Sequence, residues 1–97
     1  MSLGEKQLRR TVYYEGRVQG VGFRYTTNTL AQSFPVTGRV MNLHDGRVQL
    51  IAEGESQEIA RFLTQVSETL GRYIRNMQVV DSPATGQFEN FAIETGS

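Results

Sequence analysis

The sequence predicts an α+β fold in which two helices cover one face of an antiparallel sheet. Three observations support this fold class: segments rich in β-branched and aromatic residues, two segments with apolar residues at helical spacing, and glycine or proline between them. In chain order the segments are β-α-β-β-α-β, followed by a short terminal strand. This order is typical of the split βαβ, or ferredoxin-like, sandwich. The 97 residues suffice for a single domain with one modest core.

The first half of the chain is predicted to hold a strand, a helix and a second strand. The first strand covers residues 11–18, where β-branched and aromatic residues alternate between two faces. The helix covers residues 23–34 and ends at Pro35, which cannot continue it. The second strand covers residues 36–43, and residues 1–9 are predicted to form a flexible tail. The apolar side of the helix consists of Phe23, Thr27, Leu30, Ala31 and Phe34.

The second half begins with a hairpin and continues with the clearest helix in the chain. Asp45-Gly46 is a strong signal for a tight turn, and residues 47–53 follow as the third strand. Ser56 is the predicted N-cap of the second helix, and Gly71 is placed to end it. Residues 74–80 and 88–93 are predicted to be extended. The apolar stripe of the second helix consists of Ile59, Phe62, Leu63, Val66 and Leu70.

The composition excludes several classes of function. Ten Lys plus Arg balance ten Asp plus Glu, so the formal net charge is zero, which argues against nucleic acid or an anionic membrane as partner. The absence of cysteine excludes disulfides, thiolate zinc sites, iron–sulfur clusters and a cysteine nucleophile. His44 is the only histidine, which excludes multi-histidine metal sites.

We expect a cytoplasmic monomer. No apolar run approaches the length of about 18 residues that a membrane-spanning helix needs. No N-terminal stretch has the apolar core of a signal peptide. A small neutral domain whose sequence reveals no extended apolar surface is most simply a monomer.

The loop between the first strand and the first helix has the features of an anion site. Residues 16–24 carry glycine at positions 16, 20 and 22, and glycine lets backbone N–H groups converge without interference from a Cβ atom. The loop ends at a helix N-terminus, where N–H groups lack partners and the helix dipole is positive. Arg24 could add a two-pronged guanidinium contact. A purely structural turn is the alternative, since the stretch completes neither the GxGxxG nor the Walker A pattern.

Two motifs resemble the signatures of the acylphosphatase family. Residues 16–24, Gly-Arg-Val-Gln-Gly-Val-Gly-Phe-Arg, are similar to the first signature, and residues 38–46, Gly-Arg-Val-Met-Asn-Leu-His-Asp-Gly, to the second. Residues 90–93, Asn-Phe-Ala-Ile, look like the closing strand of the family. The resemblance spans residues 12–94, and the fold of the family is also ferredoxin-like.

The resemblance implies hydrolysis of a small-molecule acyl phosphate to a carboxylate and inorganic phosphate. Arg24 matches the arginine that binds the substrate phosphate, and Asn42 matches the asparagine that positions the attacking water. No metal or other cofactor is expected, because the leaving carboxylate, whose conjugate acid has a pKa of ~4, needs no assistance. The backbone amides that match the phosphate cradle of the family are those of Gln19, Gly20, Val21, Gly22, Phe23 and Arg24.

Two positions depart from the family pattern. Arg39 stands where the family often has tryptophan, and the chain ends in Glu94-Thr95-Gly96-Ser97 after the last strand, where an aromatic or basic residue is common in the family. Neither departure touches Arg24 or Asn42. The sequence leaves the physiological acyl phosphate open.

Two other functions stay open. A non-catalytic module that binds or senses acyl or carbamoyl phosphate would need Arg24 but not Asn42. An RNA-binding domain of the same fold would stack bases on Tyr13 and Tyr14, which the neutral charge argues against. Histidine is a residue type that can serve as a catalytic base, but the position of His44 in a turn favours a solvated side chain.

Overall fold

The computed structural model describes residues 7–95 and contains two helices and five strands there, as predicted. Both helices pack on the sheet, so the α+β sandwich is confirmed. A single 3₁₀ turn, Gly71–Tyr73, follows the second helix. The elements are β1 (Gln7–Gly16), α1 (Phe23–Ala31), β2 (Thr37–Asn42), β3 (Val48–Glu55), α2 (Ser56–Leu70), β4 (Ile74–Pro83) and β5 (Phe91–Glu94).

The sheet is mixed, and in this respect the prediction of an antiparallel sheet is wrong for one strand. The strand order is β4-β1-β3-β2-β5. The pairs β1–β3, β1–β4 and β2–β3 are antiparallel, whereas β5 runs parallel to β2. Connectivity explains the direction of β5. The C-terminal end of β4 and the N-terminal end of β2 lie at the same end of the sheet. When the chain crosses there to the far edge, the strand that it forms, β5, therefore runs parallel to β2.

Strand β1 is longer at its start and shorter at its end than predicted. It begins at Gln7, so residues 7–9 are paired in the sheet and do not belong to a flexible tail, while residues 1–6 lie outside the described part. It ends at Gly16, and Val18, predicted to lie in the strand, is a fully buried loop residue. Val12 and Tyr14 are buried on the predicted core face.

Helix α1 ends at Ala31, three residues earlier than predicted. The N–H groups of Gln32, Ser33 and Phe34 donate to carbonyls three residues back, at 3.3, 3.1 and 3.0 Å. The chain therefore tightens into 3₁₀-like turns here, because Pro35 disfavours α-helical backbone at Phe34. Phe34 still packs against the core, with its ring centroid 5.8 Å from that of Phe62.

Helix α2 buries the predicted apolar stripe in full. Its N-cap position is Glu55 rather than the predicted Ser56, and no side chain caps it. The helix ends before Gly71 as predicted, but Gly71 has φ −57° and continues into the 3₁₀ turn instead of reversing the chain. Phe62, at the centre of the stripe, also contacts Phe91 edge to face, with centroids 5.4 Å apart.

The remaining boundaries differ from the predictions by one to three residues. Strands β2 and β3 cover Thr37–Asn42 and Val48–Glu55, and β4 continues to Pro83 instead of ending at Val80. Strand β5 begins at Phe91, so Phe88 precedes it. Within the described residues, no helix is long and apolar enough to cross a membrane.

Candidate active site

The loop between β1 and α1 contains a run of backbone N–H groups that have no hydrogen-bond acceptor in the described part of the chain. Gly20 and Gly22 both have φ +80°, and a Cβ atom at either position would meet nothing within 4 Å. Within residues 7–95, the N–H groups of residues 19–25 donate no hydrogen bond to a backbone acceptor. Because α1 starts at Phe23, these donors lie at the positive end of its dipole. The loop therefore has the donors and the potential that an anion requires.

Phe23 fixes where this helix end lies. Its side chain is only 2% exposed, and its ring centroid lies 5.1 Å from that of Tyr14 on β1. The first helical hydrogen bond runs from the N–H of Thr26 to the carbonyl of Gly22, at 3.0 Å. Packing of Phe23 against the sheet thus anchors the first turn, on which the next residue is Arg24.

Arg24 and Asn42 both line two adjoining open pockets, of about 290 Å³ and 410 Å³, which we treat as the two lobes of the candidate cavity. Arg24, Asn42 and Thr95 line both lobes. The smaller lobe adds the loop residues Gly20, Gly22 and Phe23, and the larger one adds Gln19. Val21 lines neither lobe, and its side chain packs instead against the core. Arg24 has no carboxylate partner within ion-pair distance among residues 7–95.

The side chain of Gln19 ties the loop to the turn that follows Asn42. Its amide nitrogen donates to the carbonyls of Leu43 and Arg47, both at 2.9 Å. The turn is itself closed by the N–H of Leu43, which donates to the carbonyl of Arg47 at 2.8 Å. Asp45 braces the turn, since it accepts from the N–H of Arg47 at 3.1 Å and from its Nε at 2.9 Å. Gln19 therefore fixes the loop relative to the end of β2.

Four residues with polar side chains line the cavity although they were not predicted as site residues. His44 and Glu94 line the larger lobe, Thr95 lines both, and Tyr25 lines the smaller one with 71% of its surface exposed. The parallel pairing of β5 with β2 brings Glu94 opposite Met41, next to Asn42, which explains why the end of β5 reaches the site. For Tyr25 the available signal was its place in the first turn of α1, directly after Arg24.

The arrangement of these groups can bind an anion together with a water molecule. Backbone N–H groups and a guanidinium can hold a phosphoryl group. The amide of Asn42 can orient a water by donating or accepting a hydrogen bond, but it cannot take a proton. Among residues 7–95, no group of three or more His, Cys, Asp or Glu side chains is placed to hold a metal ion.

Comparisons with known proteins identify the family. The family model described as Acylphosphatase matches residues 10–93. The chain belongs to the acylphosphatase family. The acylphosphatase of Thermotoga petrophila is 42% identical over 81 residues, which cover 82% of this chain and 89% of the relative. That of Paenarthrobacter aurescens is 38% identical over 91 residues, covering 92% and 96% of the two chains.

A solved acylphosphatase supports the same conclusion at the level of the fold. The crystal structure of acylphosphatase from Bacillus subtilis superposes with a TM-score of 0.81 at 32% sequence identity, covering 90% of this chain and 98% of that one. The match to the acylphosphatase family confirms the resemblance found in the two sequence motifs.

Arg39, which stands where acylphosphatases often have tryptophan, lies outside the cavity. Its guanidinium lies 5.1 Å from the ring centroid of Phe88 and donates from Nη1 to the carbonyl and side-chain oxygens of Asn90, at 2.9 and 3.0 Å. Arg39 thus holds the segment that leads into β5. This departure concerns the attachment of β5 to the sheet and not the lining of the site.

Proposed function

We propose that Arg24, Asn42 and the loop of residues 19–24 carry out the acyl phosphate hydrolysis of this acylphosphatase. The activity itself follows from the family: an acyl phosphate is hydrolysed to a carboxylate and inorganic phosphate. The assignment of roles rests above all on one observation, that Arg24 and Asn42 line both lobes of the cavity at the glycine loop.

In the proposed mechanism, the loop and Arg24 hold the phosphoryl group. The loop N–H groups, which have no acceptor among residues 7–95, would bind the phosphoryl oxygens. The guanidinium of Arg24, which has no carboxylate partner among those residues, would bind two of these oxygens at once. Donors that are already in place need no rearrangement as charge shifts in the transition state, which makes their stabilisation effective. Gln19 contributes by keeping the loop at a fixed distance from Asn42.

Asn42 would place the attacking water in line with the leaving carboxylate. The bond from the water oxygen to phosphorus forms as the bond from phosphorus to the acyl oxygen breaks, and the electron pair leaves with the carboxylate. The water proton passes to a phosphoryl oxygen, because Asn42 cannot accept it. A strong base is dispensable when the transition state is loose, since the water then develops little charge before the old bond breaks.

Several properties stay predictions from the sequence. They are independence from metals, a cytoplasmic location, and the absence of nucleic acid or a membrane as partner. Independence from metals belongs to the proposed mechanism, because a phosphoryl group held by N–H groups and one guanidinium, with a good leaving group, needs no further charge.

Hydrolysis of benzoyl phosphate by the full chain in the presence of a chelator tests the proposal. Arg24→Ala and Asn42→Ala are compared with Arg61→Ala and Asn76→Ala, whose wild-type side chains are exposed and line neither lobe. We expect Arg24→Ala to lower kcat/KM by about 10²-fold or more. Asn42→Ala should lower kcat with little change in KM or in competitive inhibition by inorganic phosphate. The two control variants should retain wild-type rates.

Reaction in ¹⁸O-labelled water identifies the atom that water attacks. Label in the phosphate and none in the benzoate is expected. Label in the benzoate would overturn the mechanism, since it places the attack on the carbonyl carbon. Activity that a chelator abolishes and magnesium restores would overturn metal independence. A folded wild-type chain that binds phosphate without turnover would support the non-catalytic module instead.

A further inference from the structure

Thr95 lies at the junction of the two lobes of the candidate cavity. Among the described residues that line the cavity, only Arg24, Asn42 and Thr95 line both lobes. The proposed mechanism gives roles to Arg24 and Asn42 but none to Thr95. The position of Thr95 beside these two residues therefore raises the question of what its hydroxyl does.

The pairing of β2 with β5 places Thr95 beside Asn42. The two strands run parallel, and their pairing ends with Met41 opposite Glu94. Asn42 is the last residue of β2 and Thr95 directly follows β5, so these two residues occupy the next positions in the same register. Neighbouring strands lie about 4.8 Å apart, so side chains that face each other on one side of a sheet are neighbours.

The side chains of Asn42 and Thr95 continue two apolar rows on the face of the sheet that the helices cover. Val40, two residues before Asn42, is fully buried in the core. Ile93, two residues before Thr95 and opposite Val40, packs against the same core. Successive side chains of a strand alternate between the two faces, so Asn42 and Thr95 follow on the same side. They form a polar pair just beyond the core, where the glycine loop lines the cavity.

The proposed role of Asn42 depends on which end of its amide faces the attacking water. The amide oxygen accepts hydrogen bonds, whereas the nitrogen donates them. Water that attacks phosphorus directs a lone pair at the phosphorus, so its hydrogens need acceptors. The amide oxygen provides one, but a half-turn of the side chain would present the nitrogen instead. A neighbouring group that accepts from the nitrogen would hold the productive orientation.

Thr95 is the residue at the junction that can hold this nitrogen. The guanidinium of Arg24 has donors only, so it cannot accept from the Asn42 amide, whereas the hydroxyl of Thr95 can. Gln19 donates to the carbonyl of Leu43, which fixes the backbone after Asn42 but does not involve its amide. Within residues 7–95, neither the Asn42 amide nor the Thr95 hydroxyl takes part in a hydrogen bond, so side-chain rotation can join them without breaking one.

We propose that Thr95 is a positioning residue, whose hydroxyl accepts a hydrogen bond from the side-chain nitrogen of Asn42 and so turns the amide oxygen toward the attacking water. This inference rests on the proposed function, because Thr95 acts through the water-positioning role of Asn42. It includes no contact between Thr95 and the phosphoryl group. The hydroxyl should therefore affect the rate of the chemical step and not the binding of phosphate.

A double-mutant cycle on the full chain tests this role. Thr95→Val removes the hydroxyl but keeps the shape, Thr95→Ser keeps the hydroxyl, and Asn42→Ala removes the amide. Thr69→Val is a matched control, since Thr69 is exposed on α2 and lines neither lobe. Hydrolysis of benzoyl phosphate gives kcat and KM for each single variant and for the double variant Asn42→Ala/Thr95→Val. Inhibition by inorganic phosphate measures binding of the anion, and circular dichroism confirms that each variant is folded.

We expect Thr95→Val to lower kcat about 5- to 10-fold, as the loss of one hydrogen bond predicts, with KM and phosphate inhibition changed less than about twofold. Thr95→Ser should recover most of the lost kcat, and Thr69→Val should behave as wild type. Once Asn42 is replaced by alanine, Thr95→Val should lower kcat no further, because the two side chains act as one unit.

The cycle separates failure of this inference from failure of the proposed function. Wild-type kcat in Asn42→Ala would overturn the role of Asn42 and, with it, that of Thr95. If Asn42→Ala lowers kcat but Thr95→Val does not, or if the two losses multiply in the double variant, only the role of Thr95 is overturned. Weaker inhibition by phosphate in Thr95→Val would show that the hydroxyl binds the phosphoryl group itself, which also contradicts a role through Asn42.

Discussion

The buried carboxylate of Glu53 should make the stability of this protein depend on pH in the acid range. Glu53 lies on β3 and is only 4% exposed. It accepts from Nε of Arg9 at 2.7 Å, from the hydroxyl and N–H of Thr85 at 2.8 and 3.1 Å, and from the N–H of Gly86 at 2.9 Å. Glu53 thus attaches the segment between β4 and β5 to the sheet, and β5 ends at the candidate active site.

The size of the effect follows from the pKa of this carboxyl. Burial alone would raise the pKa of Glu53, but the hydrogen bonds from Arg9, Thr85 and Gly86 outweigh it and lower the pKa from 4.5 to about 2. This difference corresponds to about 3 kcal/mol of stability at neutral pH. Because the folded pKa is the lower one, the contribution is complete above the ordinary pKa and is lost as the pH falls through 2. By pH 3, about 2 kcal/mol of it should be gone.

Urea unfolding of wild type and Glu53→Gln at pH 7 and pH 3 measures this contribution. The glutamine keeps the shape but removes the charge, so the variant should be less stable at pH 7 by about 2–4 kcal/mol. The difference between the two proteins should narrow by about 2 kcal/mol at pH 3. Glu89→Gln, at an exposed position, serves as control. Parallel stability profiles for wild type and Glu53→Gln would show that the carboxylate is not stabilised in the folded protein, and would refute this reasoning.

Three further predictions concern the active site, each measured by steady-state kinetics. Arg24→Lys should lose at least ~10-fold in kcat/KM for benzoyl phosphate, because lysine keeps the charge but lacks the two-pronged geometry; wild-type kinetics would contradict a bidentate role. Gln19→Leu should lower kcat more than it weakens inhibition by phosphate, because it removes two hydrogen bonds between the loop and the turn after Asn42. An equal loss in kcat and in the strength of phosphate inhibition would indicate damage to the loop itself. Tyr25→Ala should lower kcat/KM for benzoyl phosphate about 3- to 10-fold but hardly change kcat/KM for acetyl phosphate, because the exposed ring can stack only on an aromatic acyl group. Tyr25→Phe keeps the ring and should behave as wild type. An equal loss on both substrates would exclude stacking.

Periodicity predicted the elements whose faces are buried. The apolar stripe of α2 from Ile59 to Leu70 is buried as predicted, and so are Val12 and Tyr14 on the core side of β1. Periodic apolar residues predict such faces well, because the period places these residues on the one side of an element that packs against the core. Boundaries were less accurate where the determining contact is tertiary. The start of β1 at Gln7 depends on pairing with Glu55, and its residues show no alternation that would reveal this.

The two proposed catalytic residues could be named from the sequence because they lie within the two motifs. The contacts that support them could not, because these contacts join segments distant in sequence. The side chain of Gln19 donates to Leu43 and Arg47, which lie 24 and 28 positions further along the chain. These hydrogen bonds form only because the fold brings the turn after β2 close to the loop. Thr95 reaches the site only because β5 runs parallel to β2, which the expected antiparallel sheet did not provide.

The geometry also explains how a chain with a formal net charge of zero can bind a phosphoryl group. Three other arginines have carboxylate partners: Arg9 pairs with Glu53, Arg10 with Asp81 and Arg47 with Asp45. Arg24 has no such partner among residues 7–95 and lies where α1 begins, so a local excess of positive potential arises without an excess in the whole chain. Placing a carboxylate beside Arg24 would remove that excess. In the proposed mechanism, the unpaired state of Arg24 within residues 7–95, more than the number of basic residues, would therefore give this site its affinity for an anion.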